Sequence, residues 1–317
     1  MIVITERQVE ELADYNALIT AMDEVFAAGA RGQVENYPFV RSELRDGDGL
    51  FGVKSGCNYA TGDLGLKCGG YWNGNAARGF DRHQSTVLLL DIETGRPTAL
   101  VAGNNLTALR TAAAAAAAAR QLSAETASHV AILGTGRQAL FQLKALCQVR
   151  PIRSVAAWSP TRAHVDDFGR QVLELGLDFQ AFGTATAAAR DADIIVTVTP
   201  SKAAILHLAD VAPGAHINAM GADTQGKREL AGDLMDAALV WTDDLRQACV
   251  IGECQHLSNP TSAIEIGRLL IGDVNQARRP KDITIFDGTG LALQDLAAAK
   301  LIMSAAVERG SAQTIAF

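Results

Sequence analysis

An apolar run, Val130-Ala-Ile-Leu133, breaks at Gly134; Gly136 follows, then Ala139, and a helical pattern begins at once in Gln138-Ala-Leu-Phe-Gln-Leu-Lys-Ala-Leu146. This stretch constrains the fold more than any other. It reads strand, glycine turn, helix, with the spacing G-x-G-x-x-A. Gly134 allows a turn too tight for a side chain, Gly136 lets the backbone come close to a pyrophosphate, and Ala139 lets the helix pack on the strand. The helix N-terminus then offers unpaired N–H groups to the anion. An ordinary glycine turn is the competing reading. The strand before and the helix after favour a dinucleotide site.

The alternation continues downstream. Strand patterns at residues 154–158, 178–182, 193–198, 215–220, 238–241 and 283–286 are separated by helical patterns, including 161–175 and 184–190. Short apolar strands spaced by helices predict an α/β fold with a doubly wound, mostly parallel sheet. Upstream the pattern differs. Residues 1–4 read as a strand, Thr5 as the N-cap of a helix over 6–12, and 14–28 as an amphipathic helix. Between 37 and 90, β-type runs at 49–54, 64–68 and 85–90 alternate with glycine turns, and 97–102 reads as a return strand after the turn 91–95. An antiparallel sheet is expected there, with its pairing left open. Residues 106–122 form a helix through an alanine tract, read as a packed element bridging two domains. A last helix covers 290–309.

The length of 317 residues suggests about two domains. A net charge of −7, with no Lys/Arg run, argues against a nucleic-acid surface. The eight-residue alanine run is too short and too weakly hydrophobic to cross a bilayer, so no membrane partner is expected. The N-terminus lacks the basic and apolar regions of a signal peptide. Five scattered cysteines read as free thiols in a reducing cytoplasm. Cys249, Cys254 and His256 match no common zinc spacing, so no metal is expected.

In a doubly wound sheet, ligands sit outside the carboxyl ends of the strands. Those ends supply Gly134, Gly136, Arg137 and Gln138; Ser159; Thr199 and Pro200; Met220, Gly221 and Asp223; and Asp287-Gly288-Thr-Gly290. An NAD site often has an acid where Ser159 stands, and Arg162 nearby could face a 2′-phosphate, so NAD(H) is favoured narrowly over NADP(H). In the first half, Arg41, Lys67 and Arg110 are three cations in the domain that would face a hydride donor.

These stretches resemble the ornithine cyclodeaminase/mu-crystallin family. The resemblance rests on Leu106-Thr-Ala-Leu-Arg-Thr-Ala112, Gly134-Thr-Gly-Arg-Gln-Ala139, Ile217-Asn-Ala-Met-Gly-Ala-Asp-Thr-Gln-Gly-Lys-Arg-Glu-Leu230, Gly252-Glu-Cys-Gln255 and Phe286-Asp-Gly-Thr-Gly-Leu-Ala-Leu-Gln-Asp295. It implies a Rossmann-type domain over 113–292. It also implies an α+β substrate-binding and dimerisation domain over 1–112, completed by 293–317, in a homodimer. It places Arg41, Lys67 and Arg110 around a substrate carboxylate, with Arg110 and Thr111 also bordering the cofactor. Lys67 becomes the proton-transfer residue of reductive members, and Asp223 the acid/base of cyclodeaminases. A lysine desolvated beside two arginines is expected to have a lowered pKa.

Where many members carry a Pro-(Ser/Thr) segment, this chain reads Arg78-Gly-Phe-Asp-Arg-His-Gln-Ser85. Arg78, Arg82 and His83 could serve a second substrate carboxylate, or form an exposed charged turn. No extra acid stands out to hold an ornithine or lysine ammonium. The expected activity is NAD(H)-dependent imine reduction, iminosuccinate to L-aspartate. An ornithine cyclodeaminase-type lyase or an alanine dehydrogenase is the alternative, and a non-catalytic cofactor and hormone binder the non-enzyme one.

Overall fold

The computed structural model describes residues 1–44, 47–274 and 278–317. It divides into two compact units, 1–110 with 291–317, and 111–290.

The first unit carries strands β1 (Ile2–Ile4), β2 (Val34–Asn36), β3 (Val40–Glu43), β4 (Gly49–Asn58), β5 (Asp63–Trp72), β6 (His83–Leu90) and β7 (Pro97–Ala102). The sheet order is C-terminal strand Gln313–Thr314, β1, β7, β6, β5, β4, β2, with β3 also on β4. Only β1 and β7 run parallel; every other pair is antiparallel. The expected antiparallel sheet is therefore present, but its two central strands are longer than the pattern suggested. Both β4 and β5 run ten residues. Gly69-Gly70-Tyr71-Trp72, beyond the β-type run expected at 64–68, lies inside β5. The glycines there permit close strand approach rather than a turn: a Cβ on Gly70 would stand 1.7 Å from the Leu50 carbonyl oxygen. The C-terminal helix (Ala292–Glu308) packs on this sheet, with Leu293, Leu296, Ala299 and Ile302 buried.

The second unit holds strands β8 (His129–Leu133), β9 (Ser154–Trp158), β10 (Asp178–Ala181), β11 (Ile194–Thr197), β12 (His216–Ala219), β13 (Leu239–Thr242), β14 (Ile264–Glu265) and β15 (Thr284–Asp287). All pair in parallel, in the order β10-β9-β8-β11-β12-β15-β13-β14. This is the doubly wound sheet the sequence pattern requires. Both faces are buried: Val130 and Ile132 join one core cluster, Ala131 and Leu133 the other. That explains why the strands are continuous apolar runs rather than alternating ones. The order reverses between β8 and β11, which sets the switch point at the glycine fingerprint.

The alanine helix (Gly103–Leu122) contains the division between the units. Its two ends are held electrostatically. The Glu6 carboxylate accepts from Asn104 N and Asn105 N at 2.7 and 2.9 Å. At the other end the buried Arg150 guanidinium donates to the carbonyls of Ala119, Arg120, Ser123 and Ala124 at 2.7–3.0 Å. An anion at the N-terminus and a cation at the C-terminus both complement the helix dipole. Ala112–Ala119 are buried to within 1% exposure, so here alanine serves close packing as well as helix formation.

Candidate active site

In the first unit, two cations converge on one carboxylate. Lys67 stands mid-strand on β5, and Arg110 on the alanine helix. The Lys67 Nζ lies 2.8 Å from Asp295 Oδ2, and Arg110 Nε donates to Asp295 Oδ1 at 2.9 Å. Arg110 Nη1 also donates to Gln294 Oε1 at 2.9 Å. Neither contact uses Nη2. Asp295 sits in the first turn of the C-terminal helix and is fully buried. Burial alone pushes its carboxyl up, but Arg110 and then Lys67 outweigh that and hold it below the usual carboxylate range. Asp295 therefore stays ionised, and two cations share it. The sequence expectation for Lys67 counted two arginines and no anion, whereas Asp295 Oδ2 stands 2.8 Å from its Nζ.

Asp295 was quoted in a family stretch above but given no role. The signal was there: it is an acid inside the apolar run Leu291-Ala-Leu-Gln-Asp-Leu-Ala-Ala-Ala299. A buried acid needs a buried partner, but one sequence does not say which cation supplies it.

Arg41 lies half-buried on β3, with its guanidinium carbon 4.8 Å from the Phe39 ring centroid. Arg78 and Arg82 are exposed and His83 half-buried. His83 pairs with Tyr71, whereas Lys67 pairs with Val87. At about 3.4 Å per residue, His83 is therefore about 14 Å along the sheet from Lys67.

In the second unit, the fingerprint behaves as its spacing demands. Gly134 has φ of +103°, and a Cβ there would stand 2.8 Å from the Val198 carbonyl oxygen. Only glycine fits at the switch point. Gly136 is the N-cap of the helix Arg137–Val149 with no side-chain cap, and a Cβ on it would meet nothing within 4 Å. Thr135 Oγ1 and Gln138 Oε1 are buried without a hydrogen-bond partner among the described residues. Open backbone, an uncapped helix start and orphaned polar atoms suit a pyrophosphate. Arg137 is exposed beside them. Ser159 is half-buried at the end of β9, while Arg162 is exposed and paired with Asp166 at 2.9 Å. Thr111 is buried in the alanine helix, Thr199 is buried, Pro200 exposed, Met220 half-buried and Gly288 buried. Asp223 follows β12, ion-paired to Lys227 Nζ at 2.6 Å.

A set of buried carboxylates braces the same strand ends. Glu229 accepts from Thr199 N at 2.6 Å and Gly221 N at 2.9 Å, tying the loops after β11 and β12 together. Gly221 is required for this approach, since a Cβ would stand 2.4 Å from Glu229 Oε2. Glu253 accepts from Glu229 N and Leu230 N at 2.7 and 3.2 Å, and Asp287 from Cys254 N at 2.8 Å. Sequence reasoning missed these because their partners are backbone donors far away in the chain.

Burial, reinforced by Asp287 and Glu229, raises the Glu253 carboxyl to about 9, and burial raises Asp287 to about 7. The folded chain thus holds protons that the unfolded chain has already released, so these groups favour folding less as pH rises. His216, driven by burial to about 3, works the other way up to its ordinary value of 6.5. The net expectation is a melting temperature that falls from pH 7 to pH 9, measured by a calorimetric pH series.

Among the described residues no cluster could hold a metal ion, and no helix is long and apolar enough to cross a membrane.

Comparison with known proteins agrees with this geometry. The profile described as "Ornithine cyclodeaminase/mu-crystallin family" matches residues 1–310. The chain is 39% identical over 320 residues to the iminosuccinate reductase of Paracoccus denitrificans, covering 99% of each. The crystal structure of that reductase in complex with NAD+ superposes with a TM-score of 0.94, covering 100% of this chain and 99% of that one. It is 32% identical over 322 residues to the alanine dehydrogenase of Archaeoglobus fulgidus, covering 100% of this chain and 98% of the relative. A structure of an archaeal alanine dehydrogenase dimer with bound NAD superposes at a TM-score of 0.94 and 31% identity, covering 100% of this chain and 99% of that one. With a fingerprint at the switch point, a lysine and an arginine on one buried aspartate, and a match over nearly the whole length, the chain belongs to the ornithine cyclodeaminase/mu-crystallin family.

Proposed function

We propose that this chain is an NAD(H)-dependent imine reductase that converts iminosuccinate to L-aspartate. The observation that carries the reading is the buried Asp295 with Lys67 and Arg110 upon it. One carboxylate holds a lysine and an arginine side by side, a cationic pair suited to a substrate α-carboxylate. Arg41 adds to that grip. The full-length likeness to an iminosuccinate reductase supports the same substrate.

NADH, when bound at the fingerprint, supplies the hydride that the imine carbon accepts. Thr135 to Gln138, with Ser159, Arg162, Thr199, Pro200, Met220, Gly221 and Gly288 at the neighbouring strand ends, would hold it, and Arg110 and Thr111 border it. Lys67 donates the proton that the imine nitrogen needs as the C=N bond becomes a C–N bond, and regains it from solvent. Asp223, tied to Lys227, orders water or assists that transfer.

The partner is a second copy of the chain. On the sheet face opposite Lys67, Val40 and Phe51 are 58% and 39% exposed, an apolar surface that a second copy would cover. The family relation to a dimeric alanine dehydrogenase supports this. Five unpaired cysteines suit the cytoplasm.

The test is NADH oxidation by purified protein with oxaloacetate and ammonia. Stoichiometric NADH loss with aspartate formation is expected. Ammonia release from ornithine without net NADH consumption would instead make the chain a cyclodeaminase, and preference for pyruvate an alanine dehydrogenase. A second expectation concerns the cofactor alone. Gly136→Val adds a side chain where space is open, so melting temperature should hold, while NADH affinity by fluorescence titration should fall at least about tenfold, roughly 1.4 kcal/mol.

A further inference from the structure

We propose that Lys54 selects a second carboxylate on the substrate, making this chain specific for dicarboxylate imines. The inference rests on the imine-reductase reading above and adds a residue to it. The register of the β4–β5 hairpin carries the argument. Pairing runs from Asn58 opposite Asp63 to Gly49 opposite Trp72, and it sets Lys54 directly opposite Lys67. Directly opposed residues project from one face of a sheet, about 5 Å apart.

That face is the one the C-terminal helix covers. One step along, the glycine pair Gly56 and Gly65 makes room for it: a Cβ on either would approach Leu293 Cδ2 at 3.3 Å and Leu296 Cδ2 at 2.9 Å, respectively. The lysine pair therefore faces the start of the helix, where Asp295 sits. Like charges directly opposed across a sheet repel. Asp295 contacts Lys67 and Arg110, while Lys54 adds its field to the same carboxylate. Lys54, Lys67 and Arg110 thus gather their positive charge around the start of the helix, a setting suited to a substrate with more than one carboxylate.

The other neighbour of Lys54 is aromatic. Its Nζ lies 5.0 Å from the centroid of Phe39, and the Arg41 guanidinium carbon lies 4.8 Å from the same centroid. Arg41 pairs with Gly52, two residues from Lys54 on the same face. Arg41, Lys54 and Lys67 thus form a cationic row across three adjacent strands. Strand spacing is about 4.8 Å, the scale that separates the two carboxylates of a four-carbon diacid. With Lys67 and Arg110 on the α-carboxylate, Lys54 meets the distal one, and Phe39 sets its direction. The register favours this row over Arg82 and His83, about 14 Å or more along the sheet from Lys67.

The experiment compares wild type, Lys54→Met and Lys54→Arg in NADH-linked assays with ammonia and either oxaloacetate or pyruvate. The Met variant keeps the stem and removes the charge. For oxaloacetate, kcat/KM is expected to fall about 10- to 100-fold, mainly through KM, the equivalent of one charge-assisted hydrogen bond. Turnover of pyruvate should change less than about threefold, and Arg should restore much of the loss. Equal losses on both substrates, or none, overturn the proposal while leaving the reductase reading intact. Calorimetric binding of succinate and propionate provides a readout independent of turnover. A succinate affinity that depends on Lys54 supports the proposal even if no imine is reduced. Succinate binding unchanged by Lys54→Met, or absent in wild type, overturns it.

Discussion

Asp295→Asn is expected to destabilise the first unit by about 3–5 kcal/mol and to abolish imine reduction. Removing one partner of a buried ion pair leaves the other charges without compensation, and here two cations lose the same anion. The amide keeps the volume, so lost packing cannot account for the result. Chemical denaturation monitored by tryptophan fluorescence measures the stability; all three tryptophans precede the substitution and are unchanged by it. The pH dependence gives a second check. The folded pKa of Asp295 lies below its ordinary value, so its contribution is present above that ordinary value and fades as pH falls through the folded one. Wild type should therefore lose stability on acidification more steeply than Asp295→Asn. Parallel acid limbs would show that the ion pair contributes nothing.

Lys67→Met is expected to lower kcat by about 10²- to 10⁴-fold while NADH binding stays intact, because the loss falls on proton donation rather than on the cofactor. Substrate KM should rise as well, since the same ammonium grips the α-carboxylate. The stability effect is smaller than for Asp295→Asn: Arg110 still compensates the aspartate at 2.9 Å. Stopped-flow NADH oxidation with preformed imine separates the two roles. If single-turnover hydride transfer matched wild type once substrate saturates, Lys67 would be a carboxylate anchor and the proton would come from elsewhere.

Much of this was legible in the sequence, for identifiable reasons. The fingerprint was readable because its roles are local: Gly134 takes a left-handed turn, Gly136 leaves space open at the helix start, and Ala139 is buried on the strand. The parallel sheet was readable because strands buried on both faces leave unbroken apolar runs. Other features depend on who meets whom across the fold. Strand β15 inserts between β12 and β13, and no local pattern records that order. Glycines inside β4 and β5 look like turn punctuation until the neighbouring strand is placed beside them. The same difficulty hid Lys54: its position opposite Lys67 follows from the turn after Asn58, and pairing could not be fixed from one sequence. Asp295 lies 228 residues after Lys67 (295 − 67) and 185 after Arg110. Proximity across such spans is a property of topology, not of spacing.

The first unit is closed by its own last residues. The strand Gln313–Thr314 pairs with β1, and the Met1 amino group donates to the Ile315 carbonyl at 3.0 Å. The second unit is one uninterrupted stretch, 111–290. On the ribosome, residues 111–290 are therefore all synthesised before the chain that begins the protein can be completed. Lys67 and Arg110 must wait through that interval for Asp295, because translation delivers it only after all of 111–290. Activity in a nascent chain should thus be acquired abruptly, as the helix Ala292–Glu308 leaves the exit tunnel.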